Sequence, residues 1–115
     1  MEHKTINVLF ICSRNRWRSP TAENVYAKHD QLNTRSRGTS SKAARTVSSN
    51  DVRWADIILV MESKHRQLLK SKFPAEMRCS QVHVLDIQDD YQFMDPELIQ
   101  VIRDSVDPLI ARRSE

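Results

Sequence analysis

Glycine and long apolar runs are scarce in this 115-residue sequence, and each shortage excludes a class of protein. Gly38 is the single glycine, which excludes the glycine-rich nucleotide loops because these need several glycines at fixed spacing. The longest apolar run covers residues 57–61, far fewer than the roughly 20 residues that cross a membrane. The sequence therefore predicts a protein that does not associate with a membrane.

Cysteine is also scarce, and charge is only mildly unbalanced. Cys12 and Cys79 are the two cysteines, and neither lies at zinc-ligand spacing from a histidine or another cysteine, so neither a metal nor a cofactor is predicted. Residues 1–4 carry no basic start before an apolar stretch, so the expected location is cytoplasmic. The net charge of +3 comes from dispersed basic residues, a pattern that favours a solvated surface over a nucleic-acid interface.

Hydrophobic and charged contents of 39% and 29% are typical of a soluble protein, and the length predicts one domain over residues 1–115. Four runs are typical of strands: residues 8–11, 33–39, 56–61 and 82–85. Four segments have helical character: residues 20–30, 51–55, 63–73 and 96–106. This alternation predicts a three-layer α/β/α fold with a four-stranded parallel sheet, of the Rossmann-like or flavodoxin-like type.

Serine and proline mark the predicted ends of two helices. Ser63 is a candidate cap for the third helix, and Pro74 is predicted to end it. Pro108 is predicted to kink or end the last helix, because proline lacks the N–H of an interior helical residue. Residues 111–115 are then expected to fray.

The most informative segment joins the first strand to the first helix. Cys12 and Arg18 are separated there by five residues, and Ser19 follows directly. A loop at this position offers unpaired N–H groups and the positive end of a helix dipole to an anion. The predicted phosphate-binding loop consists of Cys12, Ser13, Arg14, Asn15, Arg16, Trp17, Arg18 and Ser19.

Three residues of this loop have side chains suited to phosphoryl transfer. Cys12 is the candidate nucleophile, since a helix N-terminus and nearby arginines stabilise a thiolate. Arg18 has a planar fork that can hold two oxygens of a phosphoryl group. Ser19 can donate a hydrogen bond to the sulfur and can also cap the helix. The alternative is a structural cysteine at a strand end, with arginines scattered by composition.

The run Val-Leu-Phe-Ile-Cys-x-x-Asn-x-x-Arg-Ser-Pro-x-Ala-Glu, residues 8–23, resembles the phosphate-binding loop of the low-molecular-weight protein tyrosine phosphatases. The relatives of that family include thioredoxin-coupled arsenate reductases. Five residues match the family pattern C-x-G-N-x-C-R-S-P: Cys12, Asn15, Arg18, Ser19 and Pro20. Arg14 replaces the family's glycine and Trp17 the second cysteine of many members. Asn15 tolerates left-handed backbone and can still make the tight turn.

The resemblance also implies a general acid, which in the family is the aspartate of an Asp-Pro-Tyr motif after the last strand. Asp89-Asp90-Tyr91 occupies that position, so Asp89 is similar to the acid and Tyr91 to the pocket-lining tyrosine. Asp95, followed by Pro96, matches the motif by letter, but capping of the last helix explains that pair. Asp89 is favoured, with Asp95 and Asp90 as alternatives.

Residues 40–50 form a shorter loop than the family carries there, and the family's loop holds an aromatic that walls the pocket. Trp17 or Trp54 can supply a wall instead. The predicted function is hydrolysis of a phosphorylated protein or a small aryl phosphate through a phosphocysteine, with inorganic phosphate or sulfate as loop ligands. The alternatives are a phosphate- or phosphotyrosine-binding module without turnover and, with Cys79 as the sole further thiol, a relative of the arsenate reductases.

Overall fold

The strand that carries Cys12 lies inside a parallel sheet. The computed structural model describes residues 5–113, without the side chain of Arg113. Its strands are β1 (Ile6–Cys12), β2 (Leu32–Gly38), β3 (Ile57–Val60) and β4 (Gln81–Val84). Its helices are α1 (Arg18–Tyr26), α2 (Ser49–Trp54), α3 (Ser63–Lys72), α4 (Pro74–Met77) and α5 (Pro96–Arg113). The strands form one sheet in the order β2-β1-β3-β4, and every pairing is parallel.

Successive residues of β1 are buried on opposite faces of the sheet. Val8 and Phe10 pack with residues of α1 and α5, whereas Leu9 and Ile11 pack with residues of α2, α3 and α4. Burial on both faces explains why the run is continuously apolar. Each such side chain contributes about 1.5–3 kcal/mol when it leaves water. The predicted three-layer fold with a four-stranded parallel sheet is confirmed.

The predicted helices and strands are present, with bounds shifted by a few residues. Helix α1 begins at Arg18, ahead of the predicted start, and the residue before it is Trp17. The carbonyl oxygen of Trp17 accepts hydrogen bonds from the main chain and the hydroxyl of Thr21. The prediction that Ser19 caps this helix is wrong, because Ser19 lies inside it and uses its hydroxyl elsewhere.

The start of α3 differs from the sequence prediction, whereas its end, just before Pro74, agrees with it. Glu62, not Ser63, precedes the first helical residue, and the main-chain N–H of Glu62 donates to Nδ1 of His65. Helix α3 ends at Lys72, and Pro74 opens the short helix α4. Proline is tolerated there because the first helical residue needs no N–H donor.

The prediction that Pro108 ends the last helix is wrong, because α5 continues through it to Arg113, while a kink there stays a prediction. An interior proline removes one helical hydrogen bond, and burial of Ile102, Val106 and Ile110 beside the sheet offsets that loss. Fraying was predicted for residues 111–115, and this is wrong for residues 111–113, which belong to α5. Residues 114–115, and residues 1–4 on which the location was predicted, lie outside the described residues. Among residues 5–113, no helix is long and apolar enough to cross a membrane.

Gly38 joins the end of β2 to the segment 39–47. Its N–H donates to the carbonyl of Arg45, and its carbonyl accepts from the N–H of Val47, at 2.8 and 2.9 Å. A Cβ on Gly38 would lie 2.5 Å from the Cβ of Ala43 and 2.6 Å from the carbonyl oxygen of Ser13. The glycine is therefore required by close packing against the predicted phosphate-binding loop, not by a left-handed backbone.

Gly38→Ala is expected to destabilise the protein by about 1–3 kcal/mol, since an added methyl group must displace backbone as well as a side chain. Chemical denaturation measures the change. Ser41→Ala, at an exposed position of the same segment, is the control and should stay within about 0.5 kcal/mol of the wild type. Equal stability of the two variants would contradict the packing argument.

Candidate active site

The sulfur of Cys12 lies at the carboxyl end of β1 and has two polar contacts. The main-chain N–H of Asn15 donates to it at 3.2 Å, and the Ser19 hydroxyl lies 2.9 Å from it. Cys12 is only 3% exposed, so these two groups replace water around the sulfur. When the sulfur is ionised, Ser19 is the donor. A sulfur anion at this position would therefore receive two hydrogen bonds.

Asn15 makes the turn that brings its N–H to the sulfur. Its φ is 56°, in the left-handed region, which asparagine adopts more readily than most residues. Its side-chain amide donates to the hydroxyls of Ser19 and Ser36, each at 3.0 Å. Its carbonyl oxygen accepts from Nε of Arg45 at 3.2 Å. Asn15 is thus held at both ends of its amide, and the turn is rigid.

The segment 39–47 holds the loop from one side. The carbonyl oxygens of Cys12, Ser13 and Arg14 accept hydrogen bonds from main-chain N–H groups at 3.0, 2.9 and 3.1 Å. The donors are Thr39, Ser40 and Ala44. Carbonyl oxygens repel an anion, and these three are already engaged, so the loop is suited to present N–H groups instead.

Arg18 is buried, with 2% exposure, and its guanidinium is fixed by three groups. Nη1 donates to Oε1 of Glu62 at 2.6 Å and to the carbonyl of Ile87 at 2.8 Å. Nε lies 3.6 Å from Oδ1 of Asp89. The hydrogen bond from Arg18 holds the pKa of Glu62 below its ordinary value. The buried cation is therefore paired, as burial of a charge requires.

A cleft of about 260 Å³ opens at this end of the sheet. The residues that line it are Cys12, Ser13, Arg14, Arg16, Trp17, Arg18 and Asp89. The guanidinium of Arg16 lies over the ring of Trp17 at 4.8 Å, which gives the rim an aromatic and a cationic surface. The cleft thus combines a sulfur, a buried guanidinium and a carboxylate around a space that can hold a phosphoryl group.

The candidate acids lie in different environments. Asp89 lines the cleft, whereas a carboxylate oxygen of Asp95 accepts from the N–H of Glu97 at 2.9 Å, at the start of α5. Asp90 is exposed and does not line the cleft. Tyr91 packs partly buried against the core under α1 and α5 and is not a lining residue. Its role as a pocket wall stays a prediction.

The second cysteine and the second tryptophan lie away from the cleft. Cys79 is exposed and free, and Trp54 packs against the core under α2 with Arg35 over its ring. Trp17 is therefore the aromatic that borders the cleft. Across residues 5–113, no three His, Cys, Asp or Glu side chains are grouped closely enough to hold a metal ion.

The similarity of this chain to known proteins is seen in its three-dimensional structure. No family model and no curated protein matches it. The YwlE arginine phosphatase from Geobacillus stearothermophilus is 21% identical, with a TM-score of 0.68, over 95% of this chain and 90% of that one. The low-molecular-weight protein tyrosine phosphatase from T. tengcongensis is 19% identical, with a TM-score of 0.72, over 94% and 99%. The tyrosine phosphatase Wzb from Escherichia coli K30, solved with phosphate, is 19% identical, with a TM-score of 0.74, over 94% and 98%.

The chain has the fold of the low-molecular-weight tyrosine phosphatases. In this fold the loop after β1 lies beside the residues that follow β3, since the carboxyl ends of neighbouring parallel strands meet at one edge. The sequence prediction missed Glu62 and His65, which belong to that second segment. The sequence carried only part of the signal. Polar residues that directly follow a buried parallel strand lie at the same edge of the sheet as the predicted phosphate-binding loop, but the sequence did not give the order of the strands.

His65 is fully buried beside Arg18, and burial, with a smaller effect of the Arg18 charge, lowers the pKa of its ring to about 4 from 6.5. Between these values the unfolded chain binds a proton that the native protein does not. Stability should therefore fall as the pH drops from about 6.5 to about 4, with a His65 contribution on the order of 1–3 kcal/mol.

Denaturation of the wild type and His65→Gln at pH 7 and pH 4.5 tests this contribution, because the titration of all other groups is common to both proteins. His65→Gln should lose less stability on acidification than the wild type. His29→Gln, which removes an exposed histidine, is the control. Parallel losses in all three proteins would contradict a buried neutral His65.

Proposed function

We propose that this protein is a phosphomonoester hydrolase that acts through a phosphocysteine on Cys12. The observation that carries the proposal is the cleft itself, in which a doubly hydrogen-bonded sulfur and the fixed guanidinium of Arg18 border one phosphoryl-sized space. The shared fold of phosphatases supports it. The substrate is a phosphorylated protein or a small aryl phosphate, in the cytoplasm, and phosphotyrosine is the favoured group because Trp17 borders the cleft.

The first step transfers the phosphoryl group to sulfur. The thiolate of Cys12 attacks phosphorus in line, the S–P bond forms, and the P–O bond to the leaving group breaks. The guanidinium of Arg18 and the loop N–H groups stabilise the equatorial oxygens. Asp89 donates its proton to the leaving oxygen, so that an alcohol departs rather than an alkoxide.

The second step releases phosphate. Asp89, now a carboxylate, takes a proton from a water molecule, whose oxygen attacks phosphorus as the S–P bond breaks. Cys12 returns as a thiolate, and inorganic phosphate leaves the cleft. Ser19 and the N–H of Asn15 stabilise the departing sulfur, because both contact it in the resting site.

Release of 4-nitrophenol from 4-nitrophenyl phosphate tests the proposal. The wild type should turn over, Cys12→Ser should show no turnover above background, and Arg18→Lys should lose about 100-fold or more in kcat because a point charge replaces a planar fork. Cys79→Ser is the matched control, since Cys79 lies outside the cleft. Because one structural neighbour is an arginine phosphatase, phosphoarginine is tested beside the aryl phosphate, and faster turnover of either substrate shows which class the cleft prefers. A wild-type rate no higher than that of Cys12→Ser would end the proposal.

The hydrolysis of phenyl phosphate by three Asp→Asn variants shows which aspartate is the general acid, because the leaving group of this substrate needs protonation. Asp89→Asn should lower kcat by about 100-fold or more. Asp95→Asn should retain activity and stability, because asparagine also caps helices, and Asp90→Asn should retain activity. A large loss in Asp95→Asn or Asp90→Asn with little loss in Asp89→Asn would move the acid role to that residue.

One observation favours a second function, a phosphate- or phosphotyrosine-binding module without turnover. Asp89 is 59% exposed, so the candidate acid is less enclosed than Cys12 or Arg18. A module of this kind would bind inorganic phosphate in the cleft and give equal aryl phosphate rates for the wild type and Cys12→Ser. The same assay therefore distinguishes the two functions.

A further inference from the structure

His65 is a buried, titratable residue that the proposed mechanism does not use. It lies in the first turn of α3 and contacts the loop through Ser13, whose hydroxyl oxygen is 2.9 Å from Nε2 of the ring. Its other ring nitrogen, Nδ1, accepts the main-chain N–H of Glu62 at 3.0 Å. Both nitrogens are therefore engaged, and the ring cannot rotate without breaking two hydrogen bonds.

These two contacts determine which nitrogen carries the proton. Nδ1 accepts a hydrogen bond from a main-chain N–H, so it has no proton of its own. A neutral imidazole must then carry its proton on Nε2. His65 is consequently the donor to Ser13, and the Ser13 hydroxyl is the acceptor.

A hydroxyl that accepts from His65 keeps its own proton for another acceptor. In the described part of the chain, the structure gives the Ser13 hydroxyl His65 as its one hydrogen-bond partner. Ser13 also lines the cleft beside Cys12 and Arg18. A phosphoryl group bound in the cleft would supply an acceptor for this proton.

We infer that His65 is a positioning residue, which fixes Ser13 as a hydroxyl donor to the phosphoryl group bound in the cleft. The inference rests on the proposed function, because it needs an oxyanion in that cleft. Glu62, directly before α3, holds Arg18 at 2.6 Å. The start of α3 and the residue before it thus position a neutral donor at the start of the loop and a cationic donor at its end.

Binding of inorganic phosphate, measured as competitive inhibition or by calorimetry, is the direct readout. Ser13→Ala should bind phosphate about tenfold or more weakly than the wild type, because a hydrogen bond to a charged group is lost. Ser13→Thr, which keeps a hydroxyl, should bind more tightly than Ser13→Ala. Equal affinities for the wild type and Ser13→Ala would overturn the inference.

Two variants of His65 distinguish its hydrogen bond to Ser13 from its contribution to the stability of the fold. The amide of Asn can replace Nδ1, which contacts Glu62, whereas the amide of Gln reaches further and can replace the Nε2 donor to Ser13. His65→Gln should therefore bind phosphate more tightly than His65→Asn. Where either variant does not fold, the two Ser13 variants still decide whether the hydroxyl contributes.

A double variant tests whether His65 acts through Ser13. If it does, Ser13→Ala combined with His65→Asn should bind phosphate no more weakly than the weaker single variant. Losses that multiply would assign His65 a separate structural role and overturn the inference. Wild-type protein that neither binds phosphate nor hydrolyses 4-nitrophenyl phosphate would instead refute the proposed function, so the two failures are distinguishable.

Discussion

The hydrogen bond from the main-chain N–H of Asn15 to the sulfur of Cys12 is the interaction on which the candidate site depends. It requires the chain to reverse within three residues of the strand end, and the left-handed backbone of Asn15 provides that reversal. The Asn15 amide then binds Ser19 and Ser36, which ties the turn to α1 and β2. One residue therefore sets both the path of the loop and the polarity around the sulfur.

This dependence on Asn15 explains how a chain with one glycine can form the tight turn of the predicted phosphate-binding loop. Among the described non-glycine residues, positive φ occurs at Asn15, Asp86 and Met94 and not at Arg14. Arg14 can therefore replace the family's glycine without left-handed strain. The single glycine is found instead at Gly38, where a neighbouring carbonyl and a side chain leave no room for a Cβ.

The fold and the centre of the site were predictable because both follow from short-range patterns. Apolar runs, helical spacing and the order Cys-x5-Arg-Ser each lie within one segment of sequence. Glu62 and His65 were missed because their contacts with Arg18 and Ser13 join segments far apart in the chain. Pro108 was misjudged for a related reason, since tertiary burial on either side of it outweighs a local preference.

The pairing of Arg18 with Glu62 shapes the electrostatics of the cleft. A guanidinium bound to a carboxylate adds little net charge, so the unbalanced positive charge comes from Arg14 and Arg16 at the exposed rim, where salt screens it. What Glu62 provides is orientation, because it holds the fork of Arg18 in one position before any ligand arrives. Phosphoryl transfer depends on positioned donors more than on net charge. The ion pair is therefore consistent with a site organised for phosphoryl transfer. In such a site the Arg18–Glu62 pair sets the position of the guanidinium, and the arginines at the rim attract the anionic ligand.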